Sequence, residues 1–166
     1  MALRWLGLDQ VWLLVSPQNP LKPVSGMAPL ARRLESARAT AAGDPRIRVS
    51  GMETALGTRF TADTIRVLRR RFPRMGFVWL MGADNLAQFH RWKSWDSIFR
   101  AVPVAIFARG PYSARMLASR AARRFARFRR PSAGSQRLAA IRPPAWVFLH
   151  TRLHPASSTA IRASQI

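Results

Sequence analysis

Short apolar runs alternate with segments of helical periodicity along the chain, and this alternation constrains the fold more than any other feature. The runs VWLLVS (residues 11–16) and FVWLM (residues 77–81) are almost continuously apolar and are followed by Pro17 and Gly82. Such runs are typical of strands that are buried on both faces of a parallel sheet. Their alternation with helices predicts an α/β domain in which helices flank a parallel sheet.

The same patterns place the remaining elements, and 166 residues suit one domain. Apolar residues recur at helical spacing in three longer segments, with arginines such as Arg32, Arg33 and Arg38 on the outer faces. Strands are predicted at residues 11–16, 47–52, 77–81, 102–108 and 146–149, helices at 27–42, 61–72, 113–130 and 157–164 and after Gly82, and a loop at 131–144.

The charge balance favours anionic ligands. The chain carries 28 Lys and Arg against 7 Asp and Glu, a net charge of +21, and residues 97–166 contain 13 Arg and no acidic residue. A field of this sign attracts nucleotides, nucleic acids and phosphorylated metabolites. A basic RNA- or DNA-binding module is therefore one alternative. No RNP, KH or helix-turn-helix pattern occurs, however, and the arginines of residues 115–130 are expected on a solvated helix face, which disfavours nucleic acid.

Composition excludes several other classes of protein. The absence of cysteine excludes disulfide scaffolds, thiolate nucleophiles and Cys-ligated metal sites, and three histidines leave little material for a protein metal cage. No apolar run approaches the roughly 18 to 20 residues that cross a bilayer. The apolar start is interrupted by Asp9 and Gln10 and lacks a small-x-small cleavage pattern, so we expect a cytoplasmic protein.

Two polar segments follow predicted strands, where open α/β sheets bind their ligands. The segment SPQNPLKP (residues 16–23) contains Asn19 and Lys22, which either contact a ligand or belong to a proline-stiffened, solvated loop. In the segment GADN (residues 82–85), Asp84 either accepts hydrogen bonds from ribose hydroxyls or caps the following helix. The residues alone leave both alternatives open.

An aromatic segment, FHRW, follows at residues 89–92. Trp92 and Trp95 lie on one helical face, and they either pack in the core or offer a platform on which a flat heteroaromatic ring stacks. His90 has no partner in the sequence that would make it a metal ligand or a base.

The segment SSTAIR (residues 157–162) places hydroxyl groups at the start of a predicted helix. The free N–H groups of such an end bind phosphate readily, and Arg162, one turn further on, could close on the same phosphate. An ordinary hydroxyl cap with an exposed arginine is the alternative.

Taken in order, these segments resemble the bacterial nicotinate-nucleotide adenylyltransferases. The runs SPQNPLKP, FTADT, MGADNLAQFHRW, ARGPY and SSTAIR carry the resemblance, which extends from about Leu6 to Arg162. It implies a Rossmann-like nucleotidyltransferase fold and the transfer of AMP from ATP, with Mg²⁺, to nicotinate mononucleotide, giving deamido-NAD and pyrophosphate in NAD biosynthesis. Such a displacement needs positioned phosphates and charge compensation rather than a protein nucleophile. A closer alternative is an adenylyltransferase for a pantetheine phosphate or nicotinamide mononucleotide, but Trp92 and the NPLKP loop favour nicotinate.

The resemblance also implies roles for individual residues. Trp92 is similar to the residue that stacks on the nicotinate ring, and Thr61 and Thr64 belong to the segment that lines the same pocket. Asp84 resembles the acid of the GxD turn in the substrate cleft. The remaining implied contacts are Asn19 and Lys22 near the mononucleotide phosphate, Arg109 after the fifth strand, and Ser158, Thr159 and Arg162 at the ATP phosphates.

One feature of the family is not found in these 166 residues, namely the first strand with its glycine-rich and histidine motif, GGxFxPxHxGH. The resemblance makes residues 2–8 the tail of the family's first helix. We therefore expect residues 1–166 to form a single nucleotidyltransferase domain lacking its amino-terminal strand and loop, as in a truncated reading of a longer enzyme. In the order 3-2-1-4-5 the first strand is central. The VWLLVS and FVWLM strands should then face an empty slot, and little or no adenylyl transfer is expected.

Overall fold

The computed structural model describes residues 1–17, 27–108 and 113–150. The strands are β1 (Val11–Leu14), β2 (Ile47–Ser50), β3 (Trp79–Gly82), β4 (Val104–Phe107), β5 (Arg129–Arg130) and β6 (Trp146–Leu149). The α-helices are α1 (Ala2–Leu6), α2 (Leu30–Ala41), α3 (Met52–Ala55), α4 (Thr61–Arg71), α5 (Ala83–Gln88), α6 (Trp95–Ala101) and α7 (Arg120–Arg124), and 3₁₀ helices span Phe89–Arg91, Ser113–Ala118, Ala126–Phe128 and Ser135–Ala140. No helix in the described ranges is long and apolar enough to cross a membrane.

The described strands form two parallel sheets. The smaller pairs β1 with β2, with Val11 opposite Ile47, and the larger has the order β3-β4-β6-β5. In the larger sheet Val104 of β4 lies opposite both Trp79 and Trp146. The predicted α/β class, with helices flanking parallel strands, is thereby confirmed.

Side chains alternate between the two faces of the larger sheet, and a buried cluster covers each face. On one face Phe99 stacks on Phe125, with ring centroids 4.5 Å apart and an interplanar angle of 8°, and the Trp146 Nε1 donates to the Phe125 carbonyl oxygen at 2.8 Å. On the other face Val147 belongs to a second buried cluster that includes Leu6 of α1. Burial on both faces explains why β4 and β6 are apolar without interruption.

The edge strands β1 and β3 line one cleft, with a volume of about 510 Å³. Trp12 of β1 reaches Phe77, which precedes β3, with ring centroids 5.8 Å apart. Neither strand pairs with the other or with a third strand between them in the described part of the chain. The expectation that these two strands face a gap is therefore confirmed for the residues described.

The helix predicted over residues 113–130 is wrong in its extent. It is interrupted at Ser119, whose backbone is extended (ψ 157°) and whose hydroxyl oxygen accepts a hydrogen bond from the Ala122 amide at 3.3 Å. A serine in this conformation caps a new helix rather than continuing the old one, so a 3₁₀ turn precedes it and the short α7 follows. The loop predicted at residues 131–144 contains a 3₁₀ helix, and the helix predicted at 157–164 lies outside the described residues.

Candidate functional site

The carboxyl ends of β3, β4 and β6 meet at one edge of the larger sheet. Gly82 lies opposite Phe107, and Phe107 lies opposite Leu149, so the segments that follow these strands begin side by side. This is the edge at which parallel sheets bind ligands. Among the site residues predicted from sequence, the structure describes Thr61, Thr64, Asp84 and Trp92, whereas Asn19, Lys22, Arg109, Ser158, Thr159 and Arg162 lie outside the described residues.

The chain that leaves β1 is held by Arg33 of α2. Its Nη1 donates to the Ser16 carbonyl oxygen at 2.7 Å, its Nη2 to the Pro17 carbonyl oxygen at 2.8 Å, and its Nε to the Ala28 carbonyl oxygen at 2.9 Å. The prediction that Arg33 lies on the outer face of its helix is therefore wrong, because the planar guanidinium reaches back to three carbonyls. No signal in the sequence separates Arg33 from the neighbouring Arg32.

A buried polar cluster lies beside the start of α4. The Oγ1 of Thr64, a residue only 1% exposed, lies 2.9 Å from Oε1 of Glu53, 2.9 Å from Oγ1 of Thr58 and 3.3 Å from the Phe60 carbonyl oxygen. The sequence reasoning assigned Thr64 to a pocket wall and overlooked Glu53, since glutamate is rarely buried. Thr61, three residues earlier, is half-buried. The substrate contacts of both threonines stay predictions.

Lys93 connects the start of α4 to the segment that carries Trp92. Its Nζ lies 3.3 Å from Oδ2 of Asp63 and 4.5 Å from the centroid of the Phe60 ring. Because Lys93 and Asp63 are partly exposed, this ion pair contributes little to stability. The contacts of Lys93 instead show that the FTADT and FHRW segments lie side by side, and the resemblance assigns both segments to one pocket.

Both indoles of this segment are half-buried and pack against the main core, but they meet different aromatic neighbours. Trp95 meets Phe89 and Phe125 edge to face, with centroids 6.5 and 5.9 Å apart, and so packs against the core. Trp92 is half-buried, 4.9 Å from Phe89 at an interplanar angle of 46°, and part of its surface is left accessible. Within the described residues, the buried Nε1 of Trp92 and Nδ1 of His90 have no hydrogen-bond partner. The stacking role of Trp92 stays a prediction.

Asp84 lies in the first turn of α5 and is exposed. Gly82 occupies the cap position in an extended conformation (φ −77°, ψ 154°), so the alternative in which Asp84 caps this helix is wrong. An acidic residue in the first turn is favoured by the helix dipole. The side chain thus stands at the carboxyl edge of the sheet, and its contact with ribose stays a prediction.

Comparison with known proteins identifies relatives along nearly the whole chain. The sequence profile of the cytidylyltransferase-like family matches residues 1–164. A protein of Cereibacter sphaeroides named "Probable nicotinate-nucleotide adenylyltransferase" is 53% identical over 163 residues, covering 98% of this chain and 85% of the relative. Proteins of the same name from Bradyrhizobium sp. and Methylorubrum extorquens are 53% and 50% identical, each over 161 residues, covering 97% of this chain and 83% and 86% of the relatives.

A solved structure, that of Plasmodium falciparum nicotinic acid mononucleotide adenylyltransferase in complex with NaAD, has the same fold, with a TM-score of 0.61. At 12% identity the match covers 92% of this chain but only 63% of that protein. The profile and the close relatives are sufficient for assignment: the chain belongs to the cytidylyltransferase-like family and, within it, to the nicotinate-nucleotide adenylyltransferases.

Proposed function

We propose that this chain binds nicotinate mononucleotide and ATP at the carboxyl edge of its parallel strands and serves the transfer of AMP between them. The observation that carries the proposal is the junction of α4 with the Trp92 segment through Lys93, because it assembles one wall from two segments that the resemblance assigns to the nicotinate ring. The names of the close relatives support the same activity.

In this proposal the chain positions its substrates and does not itself attack. A phosphate oxygen of nicotinate mononucleotide forms a bond to the α-phosphorus of ATP, and the bond from that phosphorus to pyrophosphate breaks, leaving deamido-NAD. Trp92 stacks on the nicotinate ring and Asp84 accepts from a ribose hydroxyl. The other proposed contacts are Thr61 and Thr64 with the ring pocket, Asn19 and Lys22 with the mononucleotide phosphate, Arg109 with the substrate, and Ser158, Thr159 and Arg162 with the ATP phosphates.

Magnesium would arrive with the phosphates of ATP rather than in a protein cage. The described residues contain no group of three or more His, Asp or Glu side chains that could hold a metal ion. Mg²⁺ commonly binds substrate phosphates, one or two carboxylates and retained waters, so Asp84 at the sheet edge fits an ion carried by ATP. When bound, the ion compensates phosphate charge.

Calorimetric titration of the 166-residue chain with nicotinate mononucleotide tests the proposal. We expect saturable binding, and we expect Trp92→Ala to weaken it about tenfold, the scale of one lost stacking contact, while ATP affinity changes less than about twofold. Trp5→Ala is the matched control, because Trp5 packs with the buried cluster on the other face of the sheet and should leave both affinities unchanged. No binding of nicotinate mononucleotide, or equal losses for the two ligands, would contradict the proposal.

The same titrations separate the alternatives. Tighter binding of nicotinamide mononucleotide or of a pantetheine phosphate would show that this molecule, and not nicotinate mononucleotide, is the acceptor of AMP. Polynucleotide binding with a steep salt dependence, and no response to nicotinate mononucleotide, would favour a nucleic-acid-binding module. Binding is the readout because the proposal concerns which ligands the site accepts.

A further inference from the structure

Glu53 is a buried carboxylate to which the proposed function gives no role. Glu53 is only 6% exposed. The salt bridges of the described residues are made by Asp44, Asp63 and Asp96, and Glu53 takes part in none of them. A buried acidic group is costly unless hydrogen bonds compensate its lost hydration. The hydrogen bonds that compensate the burial of Glu53 therefore indicate which parts of the chain it holds in place.

The hydrogen bonds of this cluster run in one direction. A threonine hydroxyl carries a single proton, and the shorter of the two acceptor contacts of Thr64 is to Oε1 of Glu53, at 2.9 Å against 3.3 Å for the Phe60 carbonyl oxygen. We therefore assign the Thr64 proton to the carboxylate. The two threonine hydroxyl oxygens lie 2.9 Å apart, and with the Thr64 proton so used, the Thr58 hydroxyl has to be the donor in that pair. The Glu53 carboxyl oxygen accepts at the end of the series and sets its direction.

This series fixes the chain between α3 and α4. The Thr58 amide also donates to the Glu53 carbonyl oxygen at 3.0 Å, so Glu53 holds Thr58 through both its main chain and, via Thr64, its side chain. The turn passes through Gly57 at a positive φ of 62° and leads to Phe60, whose ring contacts Lys93 beside Trp92. The position of residues 58–61 relative to Trp92 thus depends on Glu53.

We propose that Glu53 is a positioning residue for the nicotinate pocket: it touches no substrate, and it holds residues 58–61 at the separation from Trp92 that a flat ring requires. The inference rests on the proposed function, because the ligand whose pocket it shapes is nicotinate mononucleotide. Substitution should accordingly alter ligand affinity through the geometry of one wall.

Three variants of the full 166-residue chain test this role, with nicotinate mononucleotide as the titrant. Glu53→Ala should weaken binding about tenfold, the factor expected when a hydrogen bond to a charged group is lost, whereas Glu53→Gln keeps an acceptor oxygen and should stay within about threefold of the parent. Thr58→Val, which removes the first donor and no charge, should lie between them. If Glu53→Ala does not fold, Thr58→Val and Glu53→Gln carry the test.

Leu138→Ala is the control for a merely structural role, since Leu138 is fully buried in the cluster on the other face of the sheet. It should lower the melting temperature at least as much as the Glu53 variants and leave ligand affinity unchanged. Amide hydrogen exchange of residues 56–64 gives a readout without ligand, and it should accelerate in Glu53→Ala but not in Leu138→Ala.

The outcomes are distinguishable. If the parent chain does not bind nicotinate mononucleotide, the proposed function fails and this inference fails with it. If the parent binds and Glu53→Ala and Thr58→Val bind equally well, only the positioning role is overturned. Equal losses of affinity in Leu138→Ala and the Glu53 variants would also overturn it, because they would reduce Glu53 to a contributor to stability.

Discussion

Each of the two sheets contains a continuously apolar strand, β1 in the smaller and β6 in the larger, yet these two strands are buried to different extents. All four residues of β6 are buried, whereas none of the four residues of β1 is, and Leu13 is 42% exposed. β6 has a strand on each side, and β1 pairs with β2 alone in the described structure. An apolar run therefore indicates that a strand can be buried, and its neighbours determine whether it is.

The difference should extend to local stability. None of the residues of α2, which flanks the β1–β2 pair, is buried, whereas α6 and α7 place Phe99 and Ala121 in the main core. Segments with few buried apolar contacts open at lower free energy than the core. We therefore expect the β1–β2 pair to be the less stable region, and the following substitutions test that expectation.

The largest effect is expected in the core of the larger sheet. Phe99→Ala removes a fully buried ring that stacks on Phe125, and such truncations lower the free energy of unfolding by about 3–5 kcal/mol. Leu13→Ala, the matched change on β1, should lower it by less than about 1 kcal/mol because the side chain is already partly solvated. Urea denaturation measures both, and equal losses would remove the distinction between the sheets.

A smaller effect is expected when only a hydrogen bond of the core is removed. Trp146→Phe keeps an aromatic ring but leaves the Phe125 carbonyl oxygen without the donor that now lies 2.8 Å away. That carbonyl oxygen still accepts from the Phe128 amide at 3.0 Å. The expected loss is therefore that of one buried hydrogen bond, about 0.5–1.5 kcal/mol, measured by urea denaturation. Trp12→Phe provides the control in the smaller sheet, since its Nε1 donates to the exposed Gln10 side chain. A loss in Trp12→Phe as large as in Trp146→Phe would contradict the comparison.

Arg33 offers a test within the smaller region. Arg33→Lys replaces a planar fork by a single ammonium group, which cannot reach the carbonyl oxygens of Ser16, Pro17 and Ala28 together, and the expected loss is about 1 kcal/mol. Arg32→Lys, at an exposed neighbouring position, should change little. Hydrogen exchange should accelerate in residues 11–16 of the Arg33 variant alone. Identical exchange in both variants would show that Arg33 does not hold this segment.

The smallest effect is expected from the turn before β2. Hydrogen bonds from the Arg46 side chain and backbone lower the pKa of Asp44 from 3.8 to about 2. Because the pKa is lower in the folded state, the ionised carboxylate stabilises the fold above pH 3.8, and this contribution is lost as the pH falls through about 2. The group is exposed, so the contribution is small. An NMR titration should find this pKa well below 3.8, and Asp44→Asn should remove the corresponding acid dependence.

Much of the larger sheet follows from the sequence, whereas much of the candidate site does not. The strands predicted at residues 102–108 and 146–149 are found at 104–107 and 146–149, because burial on both faces leaves an uninterrupted apolar run. The helix predicted over residues 113–130 was too long, because the spacing of apolar residues does not show that the Ser119 hydroxyl caps a new helix. Glu53 was missed for a similar reason, since its partners Thr58 and Thr64 are recognisable only once α3 and α4 are packed.

The sequence by itself determined the α/β class, the approximate strands and the family, because hydrophobic periodicity and ordered motifs are local properties of the chain. It also predicted that β1 and β3 would face a gap. Only the tertiary structure decided which rings each indole meets, which arginine turns inward and which acid is buried. Each of these depends on contacts between segments remote in sequence: Trp95 meets Phe125, Arg33 meets Ser16, and Lys93 joins the Trp92 segment to α4.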